Sequence, residues 1–288
     1  MTANHSNLTA PTDEFTLMER LTAPSDDTCK AAAELGGDVL IMGAGGKMGS
    51  SLALLIHRSL AAAGSPHRVV CVSRFSDAEA AMVLGRAGIR TISCDLMERK
   101  ELERLPDAPN ILYLAGVKFR SATNQTQTWA TNTLLPSLVA ERFLSSRIVA
   151  LSTGNVYPFV APETGGATED TPPAPVGEYA QSCLGRERLL AFMSERYGTA
   201  VVLIRLNYAT DLRYGVLLDV AQRVYAGEPI SLTMGYVNTI WQRDANAVLL
   251  QSFRLCASPP DVLNLTGPDI ISVREAAERM ASLMGVAK

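Results

Sequence analysis

This 288-residue chain has no apolar run approaching the roughly 20 residues needed to cross a bilayer, so no membrane span is expected. Metal-binding patterns are missing too. Its cysteines, Cys29, Cys71, Cys94, Cys183 and Cys256, are odd in number and include no Cys-x2-Cys pair. They read as free thiols of a cytoplasmic protein. His5, His57 and His67 show no ligand spacing, and no metal is expected. A basic excess is also lacking: the net charge of −3 offers no footprint for nucleic acid. The N-terminal segment carries Asp13, Glu14, Asp26 and Asp27, which is not the character of a signal or transit peptide. No internal repeat is visible. What remains is a composition with 47% hydrophobic and 19% charged residues, that of a soluble globular protein with a sizeable core.

The most informative stretch is Asp38 to Ser50. Val39 to Met42 reads as a buried strand that runs into a glycine-rich turn. A helix follows, with apolar residues at Met48, Leu52, Leu55, Ile56, Leu60 and Ala63. Strand, glycine turn and helix together suit a dinucleotide pyrophosphate, because the glycines allow close backbone approach and the helix N-terminus offers free N–H groups. Further strands are expected at Arg68–Ser73, Ile89–Cys94, Asn110–Leu114, Arg147–Leu151, Ala200–Leu206 and Val262–Leu265. Helices are expected between them: one opened by a Ser76/Glu79 capping box, then Met97–Leu105, Thr126–Phe143 bent near Pro136, and Glu178–Tyr197. Residues 158–177 read as a loop. Later, Leu212–Ala226, Gln242–Leu255 and Val273–Leu283 read as helices and Pro229–Thr233 as extended. This rhythm predicts an α/β fold, a Rossmann-type doubly wound parallel sheet. Three regions are expected. Residues 1–37 form an N-terminal extension, disordered over 1–11 and then helical over Asp13–Leu21 and Ser25–Leu35. Residues 38–206 form the dinucleotide-binding domain, and over 207–288 the alternation weakens.

Gly43, Gly46 and Gly49 are spaced Gly-x2-Gly-x2-Gly, which resembles the extended short-chain dehydrogenase/reductase family of NAD(P)-dependent sugar epimerases, dehydratases and reductases. The resemblance runs from about Asp38 to Ala281; it implies that 207–288 is a smaller C-terminal substrate lobe, interwoven with the main domain and shortened or truncated at its end, and that Gly43, Gly46, Lys47, Met48 and Gly49 cradle the cofactor. After the second strand the family selects its cofactor, and here stand Ser73 and Arg74, with no carboxylate before Asp77. A guanidinium at that point favours NADP over NAD, although Arg74 can equally be read as a solvated surface arginine. The resemblance places Asp95 and Leu96 at the adenine, Ala115 and Gly116 under the cofactor, and Asn132 and Asn207 beside it. Ser152 to Tyr157 resembles the family's segment in which the second hydroxyl, here Thr153, bonds the substrate oxygen. Tyr179 stands as the general acid/base. The partner implied is a small sugar-like molecule, with a homodimer built on the helices at 126–143 and 178–197. Tyr214, Met234, Tyr236, Asn238, Trp241 and Gln242 are candidates for sugar contacts.

One residue departs from the pattern. The family has Tyr-x3-Lys, whereas this chain has Tyr179-x3-Cys183, within surroundings (Ser182, Glu187) that agree. Without a nearby cation Tyr179 stays near the phenol pKa of about 10 and is a poor base at neutral pH. Lys118, after the fourth strand, and Arg186, three positions past Cys183, are candidate catalytic cations, though each also reads as a surface charge. Cys183 as a nucleophile is the weaker reading, with no histidine nearby in sequence. Two functions follow: an oxidoreductase or epimerase using the Thr153/Tyr179 pair, or a cofactor-binding sensor of the same fold. Retention of both hydroxyls favours the enzyme; the missing lysine favours the sensor.

Overall fold

The computed structural model describes residues 10–118 and 123–286. Most of the stretch 1–11 expected to be disordered lies outside the described residues. Seven strands form one sheet in the order β10-β6-β5-β4-β1-β2-β3: β1 Val39–Met42, β2 Val69–Ser73, β3 Arg90–Ser93, β4 Asn110–Tyr113, β5 Arg147–Thr153, β6 Val201–Leu206 and β10 Asp261–Leu265. Every pairing in it is parallel. The chain leaves β1 toward β2 and β3 on one side and returns to β4, β5 and β6 on the other. The order therefore reverses between β1 and β4, where a crevice opens at the strands' C-terminal ends.

β1 shows why the sheet is buried on both faces. Val39 and Ile41 point into one apolar layer with Leu52, Ile56 and Leu249; Leu40 and Met42 point into the other with Leu138, Val139 and Leu190. Both layers need cover, so the inner strands read as apolar runs and not as an alternation, whereas the edge strand β3, Arg90 to Ser93, is exposed at both ends. The first layer is covered by α3 (Gly49–Ala62) and α10 (Gln242–Gln251), the second by α7 (Leu135–Arg142) and α8 (Gly177–Tyr197).

The N-terminal segment forms two capped helices, α1 (Glu14–Thr22) and α2 (Asp26–Ala33), with capping boxes at Asp13 and Ser25. They pack on α3 and α10. Arg58 of α3 bonds Thr22 at 2.7 Å and pairs with Glu19. The chain end of α2 is held by buried Asn110, whose Nδ2 donates to the carbonyls of Leu35, Gly37 and Asp38 at 3.1–3.3 Å. Arg147 joins it, donating to the Leu35 carbonyl and to Asn110 Oδ1.

Three local expectations need correction, and the interruption or bend expected near Pro136 takes a definite form. The helix after β2, α4 (Ala78–Arg86), is capped by Asp77 and not by Ser76: the Asp77 carboxylate reaches the Glu79 amide at 2.9 Å. The long helix over 126–143 is α6 (Gln125–Trp129), a π-turn at Ala130–Leu134, then α7, with Pro136 in the first turn of α7. Proline lacks the N–H that would serve the carbonyl of Asn132, so the ladder widens upstream of it. Pro229–Thr233 forms no strand; Tyr236–Val237 (β8) pairs instead with β11 (Ile271–Ser272). The helix expected over 212–226 begins only at Val216 (α9, Val216–Ala226).

Asn110→Ala would take its donation away from the carbonyls of Leu35, Gly37 and Asp38 and leave the Arg147 guanidinium with the Leu35 carbonyl but without Asn110 Oδ1. We expect a melting temperature lower by about 4–10 °C and earlier proteolytic cleavage between α2 and β1. Unchanged melting and cleavage would show that the extension is held by apolar packing alone.

Candidate functional site

At the end of β1 the chain makes the glycine turn. Gly43 has φ +87, and a Cβ there would lie 2.7 Å from the Ala115 amide, so the β1 and β4 turns touch backbone to backbone. A Cβ on Gly49 would overlap the Ala44 carbonyl, which lets α3 start directly against the turn. Among the described residues the amides of Lys47 and Met48 take no hydrogen bond. These two donors at the start of α3, with the close glycine packing, fit a dinucleotide pyrophosphate. Above the turn, the Lys47 Nζ rests 4.5 Å from the centre of the Tyr214 ring.

The ends of the other strands complete a cleft of about 650 Å³. Its walls include Gly46, Met48, Lys118, Thr153, Tyr179 and Asn207. Thr153 ends β5, and Tyr179 lies in the first turn of α8. Asn207 follows β6; its amide donates to Leu265 at 2.9 Å and its side chain to Asn238 O at 3.3 Å. Tyr208 is held at φ +44, a strained conformation for a side chain of its size. The Lys118 Nζ stands 5.3 Å from the centre of the Tyr208 ring.

The strand ends are fixed from below by a buried ion pair. Arg205 of β6 meets Glu187 of α8 at 2.7 Å, and both are about 95% buried (6% and 4% exposed). Ser152 donates to the same carboxylate at 2.5 Å, and Arg205 also donates to the Tyr157 hydroxyl at 2.7 Å. The Tyr157 hydroxyl in turn donates a hydrogen bond to Asn264 Oδ1 at 2.8 Å. The residue beside Thr153 and the helix carrying Tyr179 are thereby locked to one another.

A sequence profile of the NAD dependent epimerase/dehydratase family matches residues 39–234. The chain belongs to this family. No curated protein matches the sequence. Among solved structures the fold is similar to dTDP-glucose 4,6-dehydratase from Bacillus anthracis in complex with NAD, at 16% identity and TM-score 0.73 over 88% of this chain and 83% of that one. It is similar to UDP-glucose 4-epimerase from Thermotoga maritima with UDP-glucose, at 18% identity and TM-score 0.72 over 87% and 84%. UDP-glucuronic acid 4-epimerase from Bacillus cereus in complex with NAD gives 16% identity and TM-score 0.69 over 87% and 85%.

The epimerase/dehydratase chain brings together Gly43, Gly46, Lys47, Met48, Gly49, Lys118, Thr153, Tyr179 and Asn207 around the cleft. Other expected site residues have different tasks. Asn132 is fully buried, and its Oδ1 accepts from the Val117 amide at 2.8 Å. Its Nδ2 donates to Val117 O at 2.9 Å and to Ser182 Oγ at 3.0 Å, so it clasps the turn before Lys118 and has no atom free for a cofactor. Arg186 is buried and donates to the carbonyls of Asn132 and Leu151 and to Asn132 Oδ1. It is not a surface cation, and it fills the space against Gly116. Leu96 is packed in the core, and the Asp95 carboxylate accepts the Met97 amide at 3.0 Å as a turn cap. Ser73 Oγ lies against Gly45, while Arg74 is exposed and forms no ion pair among the described residues. Gln242, a candidate sugar contact, is buried and bonds the Tyr214 hydroxyl and Ser51. The partnership of Lys47 with Tyr214 went unread because the two are far apart in sequence.

Burial pushes the Tyr179 phenol up to about 12, with Cys183 adding to the rise and Thr153 and Arg186 opposing it. The Cys183 thiol is raised by burial as well. Cys71 and Cys256 are pushed up to about 12 and Cys94 to about 11 by burial. All these groups bind their protons more tightly folded than unfolded. Stability should therefore be flat through neutral pH and fall once the unfolded chain's thiols and phenols ionise, from about pH 8.5–10 upward. Melting followed from pH 7 to 11 should show this alkaline decline, smaller in Tyr179→Phe; a decline of the same size in that variant would contradict the burial of its phenol.

Proposed function

We propose that the chain moves hydride between a bound nicotinamide dinucleotide and a hydroxyl or carbonyl carbon of a sugar, with a nucleotide-sugar as the favoured substrate class. The observation that carries this reading is the opening of the glycine turn, with its unpaired Lys47 and Met48 amides, into the same cleft as Thr153 and Tyr179. Tyr179 exchanges the proton with the substrate oxygen, and Thr153 hydrogen bonds that oxygen and holds it in line. The bound dinucleotide supplies the hydride acceptor and donor. Two lysines, Lys47 and Lys118, line this cleft, and Lys118, which follows β4, takes the charge-supplying role at the surface of the site. The sensor reading is weaker, because a protein that only binds its cofactor has no use for both hydroxyls facing the cleft.

NADP is the favoured cofactor. Arg74 follows β2, is exposed, and has no carboxylate neighbour before Asp77, whose side chain is engaged by the Glu79 amide. Residues 38–206 act as the dinucleotide domain and 207–288 as the substrate lobe, although β10 returns to the main sheet. Exposed Phe192 on α8 and Leu134 beside α7 leave apolar surface that suits a homodimer of a cytoplasmic protein.

Two measurements test the reading. NADPH should bind at least about tenfold tighter than NADH, from roughly 1.5–3 kcal/mol of charged hydrogen bonding, and Arg74→Ala should remove the preference. Equal or better NADH affinity in the unmodified chain would refute the cofactor assignment. Turnover in a panel of nucleotide-sugars should fall by about 10²–10⁴ in Tyr179→Phe, with NADPH affinity little changed. Near-full turnover in that variant would sink the proton-transfer role.

A further inference from the structure

Arg186 is only 5% exposed, and no ion pair among the described residues includes it. Neutral oxygens meet its guanidinium: the Asn132 carbonyl at 3.2 Å, Asn132 Oδ1 at 3.1 Å, and the Leu151 carbonyl. The adjacent carboxylate, Glu187, is taken up by Arg205 and Ser152. Of the four buried charges, Glu187 is paired with Arg205 and Asp211 with Arg213, so among the described residues Arg186 is the buried charge left without an ion-pair partner. Such a charge is strongly disfavoured in an apolar interior unless its surroundings use it. Tyr179 and Cys183 lie seven and three positions earlier on the same face of α8, and the charge of Arg186 opposes the rise that burial imposes on both. Tyr113, whose buried hydroxyl has no partner, lies under the guanidinium with its ring centre 5.7 Å away.

We propose that Arg186 is the positive charge built in beneath the site, supporting the ionised form of Tyr179 through space and, through Asn132 and Val117, fixing the turn that presents Lys118. Arg186 touches no reacting atom and is a positioning residue. Asn132 brackets both polar groups of Val117, and the guanidinium holds Asn132 by two of its atoms. The same arrangement accounts for Cys183. One turn of helix away, the interior already holds a cation, and a second buried cation at 183 would have no counter-charge. A small neutral side chain fits there. The inference rests on the reading of Tyr179 as the proton-handling group.

A charge-exchange cycle tests it, using Cys183→Lys, Arg186→Leu and the double variant, with melting temperature and NADPH fluorescence titration as readouts. Cys183→Lys alone should lower melting by about 6–15 °C, because it buries a second uncompensated cation. In the double variant the lysine replaces the lost charge, so melting and NADPH affinity should rise well above those of Cys183→Lys alone. Cys183→Met, of similar length and no charge, should gain nothing from Arg186→Leu. A double variant at or below Cys183→Lys overturns the proposal, as does a methionine variant rescued equally, which would make volume the cause. Should Arg186→Leu fail to fold by itself, the comparison of the double variant with Cys183→Lys still decides. An unmodified chain that binds neither NADPH nor NADH would refute the function above, while the melting cycle would still judge Arg186.

Discussion

The buried pair between Glu187 and Arg205 is the constraint on which the site's geometry depends. It joins α8 to β6 at 2.7 Å, reaches β5 through Ser152, and reaches β10 through Tyr157 and Asn264. A buried ion pair contributes little net stability, since desolvating two charges offsets most of their attraction. Its effect here is on register. The carboxylate must meet the guanidinium, so the rotation of α8 about its own axis is set. Tyr179, two turns earlier on that face, is then turned toward the cleft and not toward solvent. The loop between β5 and α8 is tied to the same network, because the Asn264 amide bonds Glu169 at 2.7 Å.

The sheet was legible in the sequence because a parallel strand covered on both faces must be apolar throughout. Val39–Met42 and the apolar runs at 111–112, 148–151 and 201–204 satisfy this without any turn chemistry to confuse them. The glycine turn was legible for a related reason: at Gly43 and Gly49 backbone occupies the space a Cβ would need, and only glycine satisfies that. Helix ends were less legible. Pro136 announces a break but not its form, and the π-turn lies upstream at Ala130–Leu134, where the freed Asn132 carbonyl is taken by Arg186. Ser76 and Asp77 are both good caps, and nothing local decides between them.

Long-range polar pairing was the least legible feature. Asn132 stands where a cofactor contact is expected, yet its amide is saturated by Val117, Ser182 and Arg186, which lie 15 to 54 positions away. Gln242 stands among the candidate sugar contacts, yet it is fully buried and bonds Ser51 across 191 positions. No periodicity carries such information. Each assignment depends on which elements the fold brings together. The N-terminal helices show the same limit. Their caps are readable, but their attachment through Asn110, Arg147 and Arg58 is a property of the assembled sheet and helices.

These hidden pairings bear on the absent lysine. Judged along α8 alone, Cys183 in place of a cation removes the charge next to Tyr179. In the folded chain positive charge reaches the same region from three other places. Lys47 lies against Tyr214, Lys118 against Tyr208, and Arg186 sits beneath without a counter-ion. Both tyrosines come from the short segment after β6, and Tyr208 is held there at positive φ, at a conformational cost of order 1–3 kcal/mol. A strained backbone that aims an aromatic face at a lysine gives that segment a physical role: it keeps the rim cations over the cleft by the attraction of ring and charge. The residue lost from one helix position therefore does not make the cleft electrically neutral. Positive charge is distributed over a rim that the segment after β6 supports through Tyr208 and Tyr214 and a floor that the Asn132 clasp supports.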